Sequence, residues 1–440
     1  MTSTFRSLKE HNYLIWFLGA LTSNIGTWMQ RTAQDWIVLT ELTDHDAAAV
    51  GITMALQLGP VLVLMPWAGV IADRVNVRKM LIATQSAMAS LALGLGIIVV
   101  TGIAQLWHVY LFALLLGIVA AVDAPVRQIF VAELVEKKDL TNAVSLNSVS
   151  FNAARLLGPA AAGLLTVVVG AGWVFVINAG TFLATIAALL AIRVNELRHQ
   201  PRAPRARGQI LAGFRYVLKK PAIIIVLIMI GVIGTFGMNF SIYTSTMATI
   251  AFHKGAAEFG MLSSVMAIGS VTGALFSARQ ERPRMRTLFL SASMFGLASA
   301  LSALMPTFEM FTVSLALIGF AALMFMTTAN SMVQTTVKPS MRGRVMALYM
   351  AIFVGGTPIG APFVGWIVNQ FGPRWGLGVA AISGVLAATV CLYWLMRYKR
   401  VRVHYVKTWP RFNIGYAADG RAHEIATQEI AIIEAEAHKS

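Results

Sequence analysis

The sequence predicts an all-α integral membrane protein in which twelve transmembrane helices form two pseudo-symmetric halves of six helices each. Three observations predict this fold: the composition, the number of long apolar stretches and an internal repeat. Of the 440 residues, 57% are hydrophobic and 12% are charged, whereas soluble proteins are about 25% charged. The mean hydropathy is +0.70. Lipid rather than water is therefore the expected solvent of most of the chain.

The apolar stretches are long enough to cross a bilayer, which takes about 20 residues in a helix. Twelve such stretches lie at approximately 14–39, 51–72, 80–101, 107–126, 142–169, 173–192, 222–247, 258–278, 288–306, 310–333, 343–369 and 375–396. They divide into an N-terminal six-helix bundle over residues 1–192 and a C-terminal bundle over 221–396. Residues 193–220, rich in Pro and Arg, are expected to form a cytoplasmic linker, and 397–440 a solvated cytoplasmic tail.

The basic residues predict the orientation of these helices. If the N-terminus is cytoplasmic, 31 of the 35 Lys and Arg fall on the cytoplasmic side, as the positive-inside rule requires. The others are Lys254 and Arg374 in outer loops, and Arg31 and Arg155 within spans. Both termini are therefore expected in the cytoplasm. The formal charge of +16 then reflects topology, and no nucleic-acid partner is expected.

A repeat relates the two halves. Residues 133–163 can be laid over 335–365 without a gap, so that Gly158 falls on Gly360. Parallel repeats of this kind are typical of one transporter architecture, which places a binding site near the bilayer midplane between the halves.

Several classes of function are excluded by the sequence. The single cysteine, Cys391, cannot form a disulfide framework within the chain. There is no zinc-type Cys/His spacing and no phosphate-binding loop of the G-x-x-x-x-G-K-[ST] type. An ATP-driven mechanism within this chain is thereby removed. No nucleophile–base pair is visible in the spans, so we expect neither an enzyme nor a cofactor.

The loop GVIADRVNVRK, residues 69–79, joins the second and third spans. Its plain interpretation is a turn that carries positive-inside charges. It also resembles the G-x-L-A-D-R-x-G-R-K loop of the major facilitator superfamily, with Gly69, Asp73 and Arg74 at the matching positions. The resemblance implies a gating loop in which Asp73 lies near 342–345, at the start of the eleventh helix, where the helix dipole favours an anion. That contact would latch an outward-open state.

The fourth span carries a second candidate gating element. Asp123 and Arg127 lie one turn apart in VDAPVRQIFVAELV. They either neutralise each other at a helix end, or Asp123 pairs with Arg78 and closes an inner gate. This sequence has Asn76 and Val77 where the superfamily loop has Gly and Arg. An ion pair between the spans would therefore be formed by Arg78, or it would be absent. The D-x-P-x-R-Q spelling resembles the branch that contains the enterobactin exporter and the transmembrane secretion effectors.

The fifth span, SVSFNAARLLGPAAAG, supports the same branch. Its Gly158-Pro159 pair, followed by small residues, resembles a helix-packing motif associated with antiporters. Asn152 and Arg155 continue a polar stripe with helical spacing. Because an arginine within a membrane does not face lipid, the stripe is expected to face a cavity and to serve the substrate or the proton. The alternative is an Arg155 held by helix carbonyls or by Asp123.

The first span carries charge where apolar residues are expected. In its sequence Asn24, Thr27, Arg31 and Asp35 share one helix face, with Gln34 beside them. GTWMQRTAQDW resembles the G-s-W-m-Q-t-v-A-x-x-W pattern of the same branch, but that pattern has neutral residues at the two charged positions. The role of the charges therefore rests on physical argument alone.

Asp35 is the one carboxylate that falls inside a predicted span away from a cytoplasmic helix end. A proton-driven transporter needs a group that exchanges a proton as access alternates. A carboxylate can do this if it loses water in one state and meets a cation in another. Asp35 with Arg31 is the expected proton-coupling pair. The alternative is a permanently ionised pair that only shapes the cavity.

The second half is poorer in charge. Asn239 and Tyr243 in the seventh span and Asn330 in the tenth are expected to add hydrogen bonds to the substrate cavity. The chain also has 22 Met, a residue whose flexible side chain suits promiscuous ligands.

These observations and the resemblance, which covers about residues 10–400, predict a secondary active efflux transporter in a bacterial plasma (inner) membrane. It is expected to act as a monomer and to exchange small drug-like or siderophore-like amphipathic molecules for protons by alternating access. Two alternatives remain open: a facilitator or importer on the same fold, and a non-transporting membrane sensor.

Overall fold

The computed structural model describes residues 3–198, 209–278, 284–398, 401–405 and 412–416. It describes the backbone alone at 3–4, 65–66, 68–74, 209–213, 278, 339–340 and 397–398, and in the last two ranges. Most of the described chain is α-helical, as the sequence predicts.

The N-terminal half contains six long helices after a short 3-10 helix. They are α1 (His11–Thr40), α2 (Ala47–Arg74), α3 (Val77–Val100), α4 (Leu106–Leu134), α5 (Leu140–Val169) and α6 (Ala171–Ala191). Most ends lie within a few residues of the predicted spans. α4 is the exception, because it continues well past the predicted end at residue 126.

The C-terminal half begins with a short helix and contains a seventh span built from several pieces. Its elements are α7 (Gln209–Leu218), α8 (Pro221–Val232), a π-helical turn (Ile233–Gly237), α9 (Phe240–Thr246), a second π-helical turn (Met247–Ala251), α10 (Ala256–Ala278), α11 (Met285–Leu304), α12 (Phe308–Thr336), α13 (Pro339–Phe371) and α14 (Pro373–Tyr398). α7 lies against the start of α13, where Lys338 N donates to Tyr216 Oη at 3.3 Å.

Eleven of the described helical segments are long and apolar enough to cross a membrane. α1, with 30 residues, is the remaining long helix. Its length is sufficient, but its composition is too polar because of residues such as Asn24, Arg31, Gln34 and Asp35. It packs mainly against α5 and α6, which keeps much of its polar face inside the protein. The expected all-α, twelve-span architecture is confirmed.

The two halves pack by a common pattern. α3 lies close to α6, and in the other half α11 lies close to α14. Each pair meets at glycines: a Cβ added to Gly96 would lie 3.2 Å from Gly172 O, and one added to Gly384 would lie 2.6 Å from Gly296 Cα. Small residues at such crossings let membrane helices approach closely. Between the halves, α2 packs on α13 and α5 packs on α10. A pseudo-two-fold axis that relates the halves maps each of these two helix pairs onto the other.

One end of the molecule, which carries the α1–α2 loop, is closed between the halves. Asp46 caps α2 by accepting from Ala48 N at 2.8 Å, and its Oδ1 also accepts from Asn369 Nδ2 of α13 at 2.6 Å. Asn369 Oδ1 in turn accepts from Ala47 N at 2.8 Å. A Cβ added to Gly163 of α5 would lie 2.6 Å from the backbone of α10. The described hydrogen bonds between the halves lie between this closed end and the middle of the helices.

The break in the seventh span departs from the single helix predicted over 222–247. The break frees backbone carbonyls, and buried side chains satisfy them: Asn239 Nδ2 donates to Thr235 O at 2.8 Å, and Tyr243 Oη donates to Phe236 O at 2.5 Å. Asn239 and Tyr243 are 0% and 1% exposed. Broken helices are tolerated in membranes when the freed groups find such partners.

The linker begins against the N-terminal half. The Arg198 guanidinium lies 3.4 Å from Glu136 and 3.8 Å from Glu10, and Arg198 N donates to Glu133 O at 2.9 Å. A hydrogen bond from Lys138 lowers the pKa of Glu136, which favours the ionised form of this carboxylate. The centre of the predicted linker, 199–208, lies outside the described residues.

The tail after α14 contains a two-stranded hairpin, which the sequence analysis does not predict. β1 (Val401–Tyr405) pairs antiparallel with β2 (Phe412–Tyr416), with Val403 opposite Ile414. The two segments, VRVHY and FNIGY, show the alternation typical of strands. The segment from residue 417 lies outside the described residues.

Replacing Asn239 by Leu should destabilise the protein. The change leaves the part-buried Thr235 carbonyl without its side-chain donor, and an unmet acceptor inside the protein costs up to about 3 kcal/mol. Asn152→Leu is the matched control, because Asn152 also donates to the carbonyl four residues before it but is exposed. The apparent Tm of the purified protein in detergent should fall by several degrees for Asn239→Leu and little for Asn152→Leu. Equal shifts in the two variants would contradict a special role of Asn239 at the break.

Candidate functional site

A cavity of about 210 Å³ lies between the two halves. The N-terminal half lines it from three helices and the C-terminal half from four segments. The lining residues are Trp28, Arg31, Thr32, Asp35, Met54, Gln57, Leu58, Arg155, Pro159, Met238, Phe240, Ser241, Thr244, Ser263, Met266 and Thr357. Its position between the repeats matches the site location expected for this architecture.

Three charged side chains line the cavity: Arg31 and Asp35 from α1 and Arg155 from α5. Both guanidinium groups lie near one indole ring, that of Trp28. The Arg31 Cζ is 5.3 Å and the Arg155 Cζ is 5.8 Å from the Trp28 ring centroid. Both distances are within the range of a cation–π interaction. The sequence predicted that the two arginines face a cavity, and the structure brings them together there.

The packing of α5 on α1 produces this arrangement. A Cβ at Gly158 would lie 3.0 Å from Ile25 O and 3.0 Å from Met29 N, so only glycine allows α5 to lie this close. Pro159, the next residue, lines the cavity. A Cβ at Gly158 would also lie 2.5 Å from Trp28 Cβ. The close approach at Gly158 therefore brings Arg155, one turn earlier on α5, near the Trp28 ring.

Asp35 forms a contact between the halves. Ser241 Oγ of α9 donates a hydrogen bond to Asp35 Oδ2, and Asp35 is 6% exposed. None of the described ion pairs joins Asp35 to Arg31. The two side chains diverge, because Arg31 turns toward Trp28 and Asp35 turns toward Ser241. A directly bonded, mutually neutralised pair on α1 is therefore not what this conformation contains.

Several hydrogen-bond donors in the cavity wall lack acceptors. Arg31 Nε and Gln57 Nε2 are buried and have no hydrogen-bond partner among the described residues. Gln57 is 9% exposed. Sequence reasoning missed both Gln57 and Trp28. Gln57 could have been found as an isolated amide within the apolar second span, and Trp28 as part of the quoted first-span pattern.

Of the seven predicted cavity residues, Arg155 is among those that line this cavity and the other six are not; their part in substrate binding stays a prediction. Asn239 and Tyr243 satisfy the break in the seventh span. Gln34 is buried at 1% exposure within the bundle. The others make polar contacts elsewhere: Asn24 Nδ2 with Ser150 Oγ at 3.4 Å, Asn152 Nδ2 with Ser148 O at 2.8 Å, and Asn330 Oδ1 with Gln334 Nε2. Helical spacing identified polar faces, but the neighbouring helices decide which part of a face meets the cavity.

The candidate gate around Asp123 is a closed network within the N-terminal half. Asp123 Oδ1 accepts from Thr84 Oγ1 at 2.6 Å and from Gln85 Nε2 at 2.8 Å, while Asp123 Oδ2 pairs with Arg127 Nε at 2.5 Å. Arg127 also lies 3.4 Å from Ser23 Oγ. The network joins α1, α3 and α4, and it agrees with the interpretation of Asp123 and Arg127 as a neutralised pair.

The alternative, a pairing of Arg78 with Asp123, is not present in this conformation. Arg78 Nε donates instead to Leu189 O at 2.7 Å, and Arg78 Nη2 to Leu190 O at 3.4 Å. These carbonyls belong to the last turn of α6, where a cation meets the negative end of the helix dipole. The side chains of the other loop residues, Gly69, Asp73 and Arg74, lie outside the described part of the structure.

Comparison with known proteins gives relatives that are transporters. The staphyloferrin A transporter of Staphylococcus aureus is 26% identical over 384 residues, which cover 86% of this chain and 95% of that protein. The enterobactin exporter of Shigella boydii is 26% identical over 369 residues, which cover 83% of this chain and 88% of that protein.

Solved structures show the same fold at low identity. A bacterial homologue of the human lysosomal transporter Spinster, in an inward-facing and unoccupied conformation, matches with a TM-score of 0.66 and 15% identity, over 87% of this chain and 97% of that one. A D-xylose–proton symporter matches with a TM-score of 0.68 and 13% identity, over 88% and 97%. The family model described as transmembrane secretion effector matches residues 2–422. The chain therefore belongs to the transmembrane secretion effector family of the major facilitator superfamily.

Proposed function

We propose that this protein exports small amphipathic molecules, siderophore-like or drug-like, from the cell by alternating access and takes up protons in exchange. As a member of a transporter family it is a secondary transporter and not an enzyme. The names of its relatives include a staphyloferrin A transporter and an enterobactin exporter, which supports export and a siderophore-like substrate. The cavity between the halves supplies a binding site of mixed apolar and polar character.

The proposed orientation places the closed end on the outer side of the membrane. The distribution of Lys and Arg supports it, since the loops at the closed end are poor in basic residues. In this orientation the conformation described above is closed to the outside. Substrate would reach the cavity from the cytoplasm, and export would require the contacts at the closed end to separate.

The observation that carries the proton coupling is the Asp35–Ser241 contact. It joins α1 to α9, and thus one half to the other, at the wall of the cavity. When the halves separate at the closed end, Asp35 would lose Ser241 and meet water from outside. A carboxylate whose partners and hydration change in this way can bind a proton in one state and release it in the other. Each proton that enters down the membrane potential supplies about 2.3 kcal/mol per 100 mV.

Asp35→Asn should abolish proton coupling. The amide keeps the size and a hydrogen bond with Ser241 but cannot exchange a proton. Enterobactin, staphyloferrin A and ethidium serve as trial substrates for inverted vesicles that carry a pH gradient and a pH-sensitive dye. We expect a substrate that discharges the gradient in wild type to leave it intact in the variant.

The control is Asp44→Asn, which removes an exposed carboxylate in the α1–α2 loop and should behave as wild type. Proton flux in Asp35→Asn equal to that of wild type would remove Asp35 from the mechanism. Net uptake of the trial substrate by intact cells, in place of efflux, would favour an importer.

Asn369→Leu should loosen the closed end and expose the cavity to the outside. The change removes both hydrogen bonds that Asn369 makes to the start of α2. The reporter is Thr32→Cys in the cavity wall, labelled with a membrane-impermeant maleimide in right-side-out vesicles. Cys391 is 0% exposed, so its background labelling should be low. We expect Asn369→Leu to speed labelling several-fold.

Gln370→Leu is the matched control, because it removes the adjacent, exposed amide. Labelling of Thr32→Cys that is equally fast in the Gln370→Leu and Asn369→Leu backgrounds would rule out Asn369 as a clasp.

A further inference from the structure

The central cavity holds more positive charge and more hydrogen-bond donors than its own residues satisfy. Two guanidinium groups, those of Arg31 and Arg155, line it against a single carboxylate, Asp35. That carboxylate accepts from Ser241 and forms none of the described ion pairs. Charges held away from water are costly unless they are paired. The cavity is therefore short of negative charge.

The unmet donors point in the same direction. Arg31 and Gln57 both line the cavity. The Arg31 Nε and Gln57 Nε2 atoms are buried without an acceptor among the described residues, and Gln57 is more than nine-tenths buried. A buried donor without an acceptor lowers the stability of the protein, and a bound acceptor that accepts its hydrogen bond would remove this penalty. Arginine and a primary amide together suit an oxygen-rich group, because the guanidinium can form two parallel hydrogen bonds to a carboxylate.

Much of the rest of the wall is apolar or aromatic, with several hydroxyl side chains between. Trp28 lies beside the two arginines, and Met54, Leu58, Met238, Phe240 and Met266 supply apolar surface. Flat rings and flexible thioether side chains accommodate an apolar body of variable shape. The charged part and the apolar part of the wall adjoin at Trp28.

We propose that the cavity recognises organic anions: a carboxylate, or a similarly oxygen-rich anionic group, bound by Arg31, Arg155 and Gln57, next to an apolar or aromatic body. This inference deepens the proposed function and rests on it for the identification of the cavity as the substrate site. A cationic ligand would meet two guanidinium groups at close range, and a neutral one would leave them unpaired. An anion is the one class of ligand that satisfies both the charge and the donors.

The test is direct binding to the purified full-length protein in nanodiscs, without any gradient. Three probes share one ring system: 2-naphthoate, the neutral 2-naphthamide and the cationic 2-naphthylmethylammonium. Isothermal titration calorimetry at constant ionic strength gives the three Kd values. We expect the anion to bind at least about tenfold more tightly than the amide, as two charge-assisted hydrogen bonds imply, and the cation to bind most weakly.

The variants assign the preference to the cavity. Arg31→Gln and Arg155→Gln should each remove most of the preference for naphthoate over naphthamide, while Arg155→Lys, which keeps the charge, should retain part of it. Arg374→Gln is the matched control: Arg374 is exposed and donates to Ala303 O, far from the cavity. It should bind all three probes as wild type does. Its elution profile and those of the other variants establish that each is folded.

The outcomes separate this inference from the proposed function. Tighter binding of the amide or the cation, or an anion preference that both arginine variants keep, would overturn the inference even if proton-coupled efflux is observed. An anion preference lost in Arg31→Gln and Arg155→Gln supports the inference even if the vesicle experiment shows no proton coupling. The proposed function would then fail on its own test.

Discussion

A charged side chain cannot face lipid without a cost of about 2.5–3.5 kcal/mol or more, and this constraint organises the centre of the molecule. Arg31 and Asp35 on α1 and Arg155 on α5 all lie well inside the bundle. α1 is consequently the least lipid-like of the long helices and is covered by α5 and α6. None of the described ion pairs joins these charges directly. They are held by an indole ring and by a hydroxyl from the other half.

The same constraint acts on the backbone of the seventh span. A regular helix would satisfy its own carbonyls, but the break between Ile233 and Phe240 leaves some free. The side chains of Asn239 and Tyr243 donate hydrogen bonds to the carbonyls of Thr235 and Phe236. The groups that satisfy the break therefore belong to the same span. The break in turn orients the following helix, α9, so that Phe240, Ser241 and Thr244 reach the cavity. A structural irregularity in one half thus supplies the partner of Asp35 in the other.

The fold could be predicted from the sequence because its determinants are local and repeated. Spans follow from runs of apolar residues, and pseudo-symmetry follows from the alignment of 133–163 with 335–365. Those signals are summed over many residues, and single errors such as the end of α4 do not change the result.

The site was only partly predictable, because it depends on which helix lies opposite. Arg31, Asp35 and Arg155 were identified because charge within a span is rare, and such residues face a cavity whatever the details of packing. Neutral polar residues carry no such constraint. Asn24, Asn152 and Asn330 can satisfy themselves within a helix or against a neighbour, so helical spacing alone could not place them.

Arg78 illustrates a further limit of sequence patterns. Its charge can be satisfied by Asp123 or by the carbonyls at the end of α6, and both lie toward the end of the molecule opposite the closed end. Asp123 already has Arg127 one turn away, with Thr84 and Gln85 on α3. In this conformation those partners hold Asp123, and Arg78 binds the helix end. The choice depends on competition between three helices, which no single motif encodes.

The charges in the cavity also constrain the proposed cycle. With Asp35 ionised, Arg31 and Arg155 leave one net positive charge, which a bound monoanion would neutralise. With Asp35 protonated and the cavity empty, the net charge is two. A potential that is negative inside favours the return of that state toward the cytoplasm, at about 2.3 kcal/mol per charge per 100 mV of potential crossed. The potential therefore assists the return step and does not oppose the neutral export step.

Charge alone, however, does not make the proton and an anionic substrate exclude each other. A protonated Asp35 repels an anion less than an ionised one does, so the two ligands would bind together if the cavity were rigid. Antiport therefore requires that the two ligands favour different conformations. The Asp35–Ser241 hydrogen bond is suited to this role, because it joins the two halves and their separation at the closed end would break it. Coupling would then depend on whether Asp35 contacts the opposite half or water, and not on competition for one charge.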